Sequence, residues 1–162
     1  MLEDFLTDSA FFENHSRDFS VNLMCSSMGN QLLKNYLRKR EKYEIPLVKV
    51  YNWISFLGSD ASWDSFEEGK GFHNILQLTD SVEVYVNAKD IPLKFSQILN
   101  SKQRMGLAGP KNSKHLPGNI KVFNVTGILT KEDIPGLGHD YLLRNPIFQE
   151  ALIKELNIVE EQ

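Results

Sequence analysis

The chain has 162 residues, enough to bury one real core and too few for two comfortable ones, so a single folding unit over 1–162 is expected. A formal charge of -3 at pH 7 leaves no basic footprint for nucleic acid. A single cysteine excludes an internal disulfide and a multi-cysteine zinc site, and no apolar run approaches the ~20 residues of a membrane span, so a soluble, cytoplasmic protein without a membrane or nucleic-acid partner is expected.

In chain order, Leu2, Phe5, Leu6 and Ser9 fall at helical spacing and predict the end of a helix over 2–12, followed by a polar turn from Asn14 to Asp18. Phe19 to Met24 is predicted as a strand. Leu32, Leu33, Tyr36 and Leu37 then share one face of a helix from 28 to about 41, which ends before Pro46. Val48 to Leu57 reads as a buried strand closed by Gly58, Ser59 and Asp60, and 61–80 as helix with a break near Gly69 and Gly71. Val82, Val84 and Val86 alternate with Glu83 and Tyr85, which predicts a strand. A short helix from Ile91 to Leu99 follows. Residues 101–118 carry too many glycines and prolines for regular structure. Ile120 to Val125 is a further strand, and a loop containing Pro135, Gly136 and Gly138 leads to a closing helix from Pro146 to Leu156.

Strands alternating with helical patterns predict an α/β fold with a mostly parallel sheet of about four strands flanked by helices. Ligand sites in such sheets lie beyond the carboxyl ends of the strands. Ser27, Asp60, Asp90 and His139 stand there in turn. The run Leu23-Met24-Cys25-Ser26-Ser27-Met28-Gly29-Asn30 places Ser27 where a nucleophile elbow would be, a sharp strand-to-helix turn that lifts a serine hydroxyl above the sheet. Gly29 takes the small-residue position two after Ser27, while Cys25 stands where the pattern G-x-S-x-G has its first glycine. Ser26 is the weaker nucleophile, because Met28 would then occupy the small position. Serine, acid and histidine in this order match the chain order of α/β-hydrolases.

Four segments carry a resemblance over nearly the whole chain. The elbow from Cys25 to Leu33 resembles the H-S-M-G-N elbow of a bacterial group of uncharacterised, serine-hydrolase-like α/β-hydrolases. The stretch Val82 to Leu93 looks like that group's acid-bearing strand, Arg104 to Pro110 its Gly-rich loop, and Gly138-His139-Asp140-Tyr141 its histidine segment. Ser26 replaces the histidine that usually precedes the nucleophile. The chain resembles the carboxyl-terminal half of the family's domain, with the earlier strands missing, so the expected architecture is a partial α/β-hydrolase fold.

The resemblance implies a serine hydrolase for a small-molecule ester or thioester, without cofactor or metal. Ser27 would be the nucleophile, His139 the base, Asp90 the acid that orients it, and the Met28 N–H one oxyanion donor. No segment visibly supplies a second donor. The competing reading is an inactive remnant or interaction module, with Phe19 to Met24 an exposed sheet edge that pairs with a second copy or a complementing chain.

Blander roles stand beside these. Ser27 and Asp90 are each also read as helix caps, His139 as an exposed loop histidine, and Asp60 as the rival acid. Cys25 is expected to pack beneath the turn, and His15, His73 and His115 to lie on the surface without partners. Asp60, Asp64, Glu67 and Glu68 are read as a charged helix face more readily than a metal site. Lys34, Arg38, Lys39, Arg40 and Lys42 are read as a solvated helix end. Lys102, Arg104, Lys111 and Lys114 form a weak candidate for binding an anionic group.

Overall fold

The computed structural model describes residues 21–128 and 137–155. Four strands, β1 (Leu23–Ser26), β2 (Tyr51–Leu57), β3 (Thr79–Val86) and β4 (Ile120–Asn124), form one sheet in that order. Every pair is parallel, with Cys25 opposite Phe56, Phe56 opposite Val84, and Val84 opposite Val122. The architecture is the expected α/β one. Because parallel neighbours need crossover connections, each strand's carboxyl end opens into a loop at the same edge of the sheet, where Ser27, Gly58 and Asn87 follow β1, β2 and β3.

Helix α1 (Gly29–Lys42) buries Leu33 and Leu37, four residues apart on one face, and its last turn carries Lys39, Arg40 and Lys42, which complement the partial negative charge there. Helix α2 (Ile91–Asn100) starts at a true cap: the Asp90 carboxylate accepts the Leu93 N–H, Pro92 stands in the first turn, and Ser101 closes the helix in the left-handed conformation. A one-turn helix α3 (Met105–Ala108), α4 (Tyr141–Arg144) and α5 (Pro146–Glu155) complete the α-helices among the described residues. One sheet face, through Ile54, Phe56, Val82 and Val84, packs on Leu33, Leu37, Phe72, Ile75 and Met105. On a second cluster Leu57 and Val125 meet Tyr141 and Phe148. The rings of Phe56, Phe66 and Phe72 are in mutual contact, with centroids 4.8 to 6.0 Å apart.

Several expectations need correction. No helix spans 61–80. That stretch is a series of turns with one 3-10 turn at Ile75–Gln77, pinned by an isolated bridge between Ser62 and Arg104 and by the Phe72 N–H bonding the Ser65 carbonyl. The Ser62 hydroxyl donates to Asp64, the side-chain competition with backbone that keeps such residues out of helix interiors. Thr79 and Asp80 belong to β3 instead. Strand β2 begins at Tyr51, three residues after Val48, where its ladder opens with Tyr51 opposite Thr79 and the Val50 and Tyr51 N–H groups share the Leu78 carbonyl. Strand β1 occupies Leu23–Ser26 and runs two residues past the expected end at Met24, since Ser26 still pairs with Leu57. Residues 101–118, expected to be irregular, contain α3 and a 3-10 turn at Ser113–His115. The expected helix over 2–12, the turn from Asn14 to Asp18, the start of the first strand at Phe19, His15, Pro135 and Leu156 lie outside the described residues.

Candidate functional site

Ser27 directly follows β1 and has a φ of 49°. A non-glycine residue in that region is strained by roughly 1–3 kcal/mol and persists only where its surroundings over-determine it. Here they do. The Ser27 N–H donates to the Leu57 carbonyl at 2.9 Å and the Ser27 carbonyl accepts the Asn30 N–H at 3.2 Å. The fully buried Asn30 side chain donates to the Cys25 carbonyl at 2.9 Å and the Ser27 carbonyl at 3.0 Å, closing the bend. Asn30 is a residue the sequence reading passed over, although a polar residue at a core-facing position of α1 is a visible signal. Crowding, by contrast, does not explain Gly29: nothing lies within 4 Å of where its Cβ would be. Cys25 is buried beneath the turn, and burial pushes its thiol up to about 12, so it carries no thiolate at neutral pH.

Met28 precedes α1, and its carbonyl already accepts the Gln31 and Leu32 N–H groups. Its own N–H stands at the positive end of the helix dipole.

Asp90 is completely buried and uses both carboxylate oxygens. One accepts the Leu93 N–H at 2.9 Å; the other lies 2.7 Å from Nδ1 of His139. The cap and the histidine partner are thus the same residue. That hydrogen bond, opposed by burial and aided by the charges of Asp90, Asp140 and Asp60, raises the His139 pKa above its ordinary 6.5.

The histidine segment is tied to the strand ends at several points. The Asn87 side chain donates to the Gly138 carbonyl, and the Ile91 N–H to the Leu137 carbonyl at 3.0 Å. Two residues past His139, the buried Tyr141 hydroxyl accepts the Gly58 N–H at 2.9 Å. Gly58 is also the seat of the imidazole. At a φ of 50°, a Cβ there would come within 3.1 Å of Cε1 and 3.3 Å of Nδ1 of His139. Gly58→Ala is therefore expected to displace the ring and lower any His139-dependent turnover by about tenfold to hundredfold, with the fold retained by thermal melt; unchanged turnover would show the seat to be unimportant. Neither Gly58 nor Tyr141 is legible as a site residue in the sequence.

Asp60, the rival acid, is engaged elsewhere. Its carboxylate accepts the Ser96 hydroxyl and lies 3.3 Å from Nε of Arg104, while its carbonyl accepts from Arg104 at 3.0 Å and from Gln31 at 2.8 Å. Arg104 is itself buried, so it is an internal partner of Asp60, and Lys111 pairs with Glu67 at 2.9 Å. These two cations of the candidate anion-binding loop are thereby occupied. Asp64, Glu67 and Glu68 lie on turns, not on a helix face, and among the described residues no group of three or more potential ligands could hold a metal ion. Two other readings are corrected. His73 has partners, with its ring nitrogens near the Lys70 carbonyl and 3.3 Å from Glu41. Lys34 is half-buried over Gly71, and Arg40 donates to the Pro46 carbonyl, so that helix end is not simply solvated.

The all-parallel sheet flanked by helices has the architecture of the α/β-hydrolase class, and its carboxyl edge carries Ser27, Asp90 and the His139 bonded to Asp90. The chain belongs to the family described as alpha/beta hydrolase of unknown function (DUF900), which matches residues 2–155. Comparison with curated proteins gives no match, and neither does comparison with solved structures. No described helix is long and apolar enough to cross a membrane.

Proposed function

We propose that the chain is a serine hydrolase that cleaves a small-molecule ester or thioester through Ser27, His139 and Asp90. The observation that carries this reading is the 2.7 Å bond between His139 Nδ1 and the buried Asp90 carboxylate, with the imidazole seated on Gly58. Gly58 directly follows Leu57, whose carbonyl holds the Ser27 N–H. Adjacent strands are about 4.8 Å apart, so the elbow and the imidazole occupy neighbouring positions on one sheet edge.

In this mechanism Asp90 holds His139 as the Nδ1–H tautomer and leaves Nε2 to take the Ser27 proton. The Ser27 oxygen adds to the carbonyl carbon, and the oxygen that becomes negative is met by the Met28 N–H and the start of α1. Collapse expels the alcohol or thiol, which takes the proton back from Nε2. Water then repeats the sequence on the acyl-enzyme and frees Ser27.

Labelling with a fluorophosphonate probe tests the reading. A Ser27 adduct located by mass spectrometry and lost in Ser27→Ala is the expected result. A well-folded chain that takes no label would favour the inactive or interaction reading.

A pH dependence follows from the raised His139 pKa. The base must be neutral, so kcat/KM rises with pH through that pKa, and the acid limb should lie above pH 6.5. Removing the carboxylate charge in Asp90→Asn should move the limb of any residual activity to lower pH. A limb at or below 6.5 in the parent chain would contradict the Asp90 assignment.

A further inference from the structure

Helix α2 is apolar on its outer side. Ile91, Phe95, Ile98 and Leu99 fall within an arc of about 100° at 3.6 residues per turn, and they are 38%, 64%, 73% and 83% exposed. Leu93, on the opposite side, is the residue that anchors the helix and is 2% exposed. Leu137, 46% exposed, continues the stripe at its start, where its carbonyl holds the Ile91 N–H. A helix that buries one side and presents four large apolar side chains on the other marks an interaction surface.

The charges around the stripe narrow its occupant. Although the whole chain is acidic, Asp90 is the only acid from Val84 to Lys131, and Asp90 is buried on His139. Lys89, Lys94 and Lys102 are exposed beside the stripe. Asp64 attracts Lys102 and Asp60 is held by Arg104, whereas no described carboxylate lies within ion-pair distance of Lys89 or Lys94. A two-fold contact between α2 helices of two copies would bring these lysines together without an acid to pair them. An aromatic and aliphatic face flanked by lysines whose stems can snorkel is, instead, the pattern of a helix lying in a lipid headgroup layer.

We propose that α2 docks the protein, reversibly and in the interface plane, on an anionic lipid surface. The lack of a spanning run in the sequence bears on crossing a membrane, not on lying against one. Flotation of the full chain with vesicles of phosphatidylcholine, with and without phosphatidylserine, tests this. Binding should be at least about tenfold stronger with phosphatidylserine and should weaken as salt is raised. Lys94→Glu should reduce it at least about fivefold, and Phe95→Ser with Leu99→Ser on the order of a hundredfold. All three sites are exposed, and a parent-like thermal melt is the check that each variant remains folded. Ser27→Ala should float like the parent chain, so the docking is judged apart from the chemistry. No flotation, equal flotation with both vesicles, or flotation untouched by these substitutions overturns the proposal. Self-association that the same substitutions abolish would overturn it in favour of a second copy, and retention only by an acidic protein in favour of that partner.

Discussion

Under the proposed triad mechanism, Asp90→Asn should lower turnover of an ester about 10⁴-fold, and Ser27→Ala about 10⁶-fold, while Asp60→Asn should cost no more than about tenfold. The asymmetry between the two aspartates follows from their partners. Asp90 accepts the Nδ1 proton of His139 at 2.7 Å; an amide there can present its N–H₂ group instead and stabilise the wrong tautomer, leaving no base for Ser27. Asp60 neutralises the buried Arg104, so its loss acts on His139 only through distant charge. Steady-state kinetics on one activated ester, with circular dichroism to verify folding, measures all three variants. If Asp60→Asn alone abolishes turnover, the acid has been assigned to the wrong residue.

Gly106→Val should destabilise the fold by at least about 3 kcal/mol, which for a chain of this size lowers Tm by roughly 10 °C. A Cβ at Gly106 would lie 2.5 Å from the Ser59 nitrogen, 2.6 Å from Leu93 Cδ1 and 2.9 Å from the Gly58 carbonyl carbon. Two of these are backbone atoms that cannot swing away. The glycine also stitches the edge of the sheet, its N–H on the Ser59 carbonyl at 2.9 Å and its carbonyl on the Asn87 N–H at 2.8 Å. The displaced backbone includes the seat of His139, so turnover should fall further than the loss of folded protein explains. A thermal melt in parallel with activity normalised to folded fraction separates the two effects, and a parent-like Tm would contradict the close approach.

The elements that were legible in the sequence owe their form to local physics. Alternation of Val82, Val84 and Val86 with polar or aromatic residues makes a strand because side chains alternate across a sheet, and β3 contains that run. Asp90 before Ile91-Pro92 reads as a cap because its carboxylate reaches the first-turn N–H groups, as it does at Leu93. Helix α1 is visible in its Leu33 and Leu37 spacing. The segment 61–80 is not the helix its sequence suggests because its apolar residues meet distant partners: Phe66 stacks on Phe56 of β2 and Phe72 packs tilted against it, and tertiary contact overrides local preference.

By itself, then, the sequence determined the alternating α/β order, the strand-to-helix turn around Ser27 and the cap at Asp90, patterns carried by residues close together in the chain, although the Ser27 bend is also held by the distant Leu57 carbonyl. Only the tertiary structure decided that Asp90 bonds His139 while Asp60 pairs with Arg104, because both aspartates follow strands and their partners arrive from far along the chain. The same holds for Gly58 beneath the imidazole and for Tyr141 on the Gly58 N–H, 83 residues apart in sequence. Contacts of that separation are created by the parallel register of the sheet, and no local pattern encodes them.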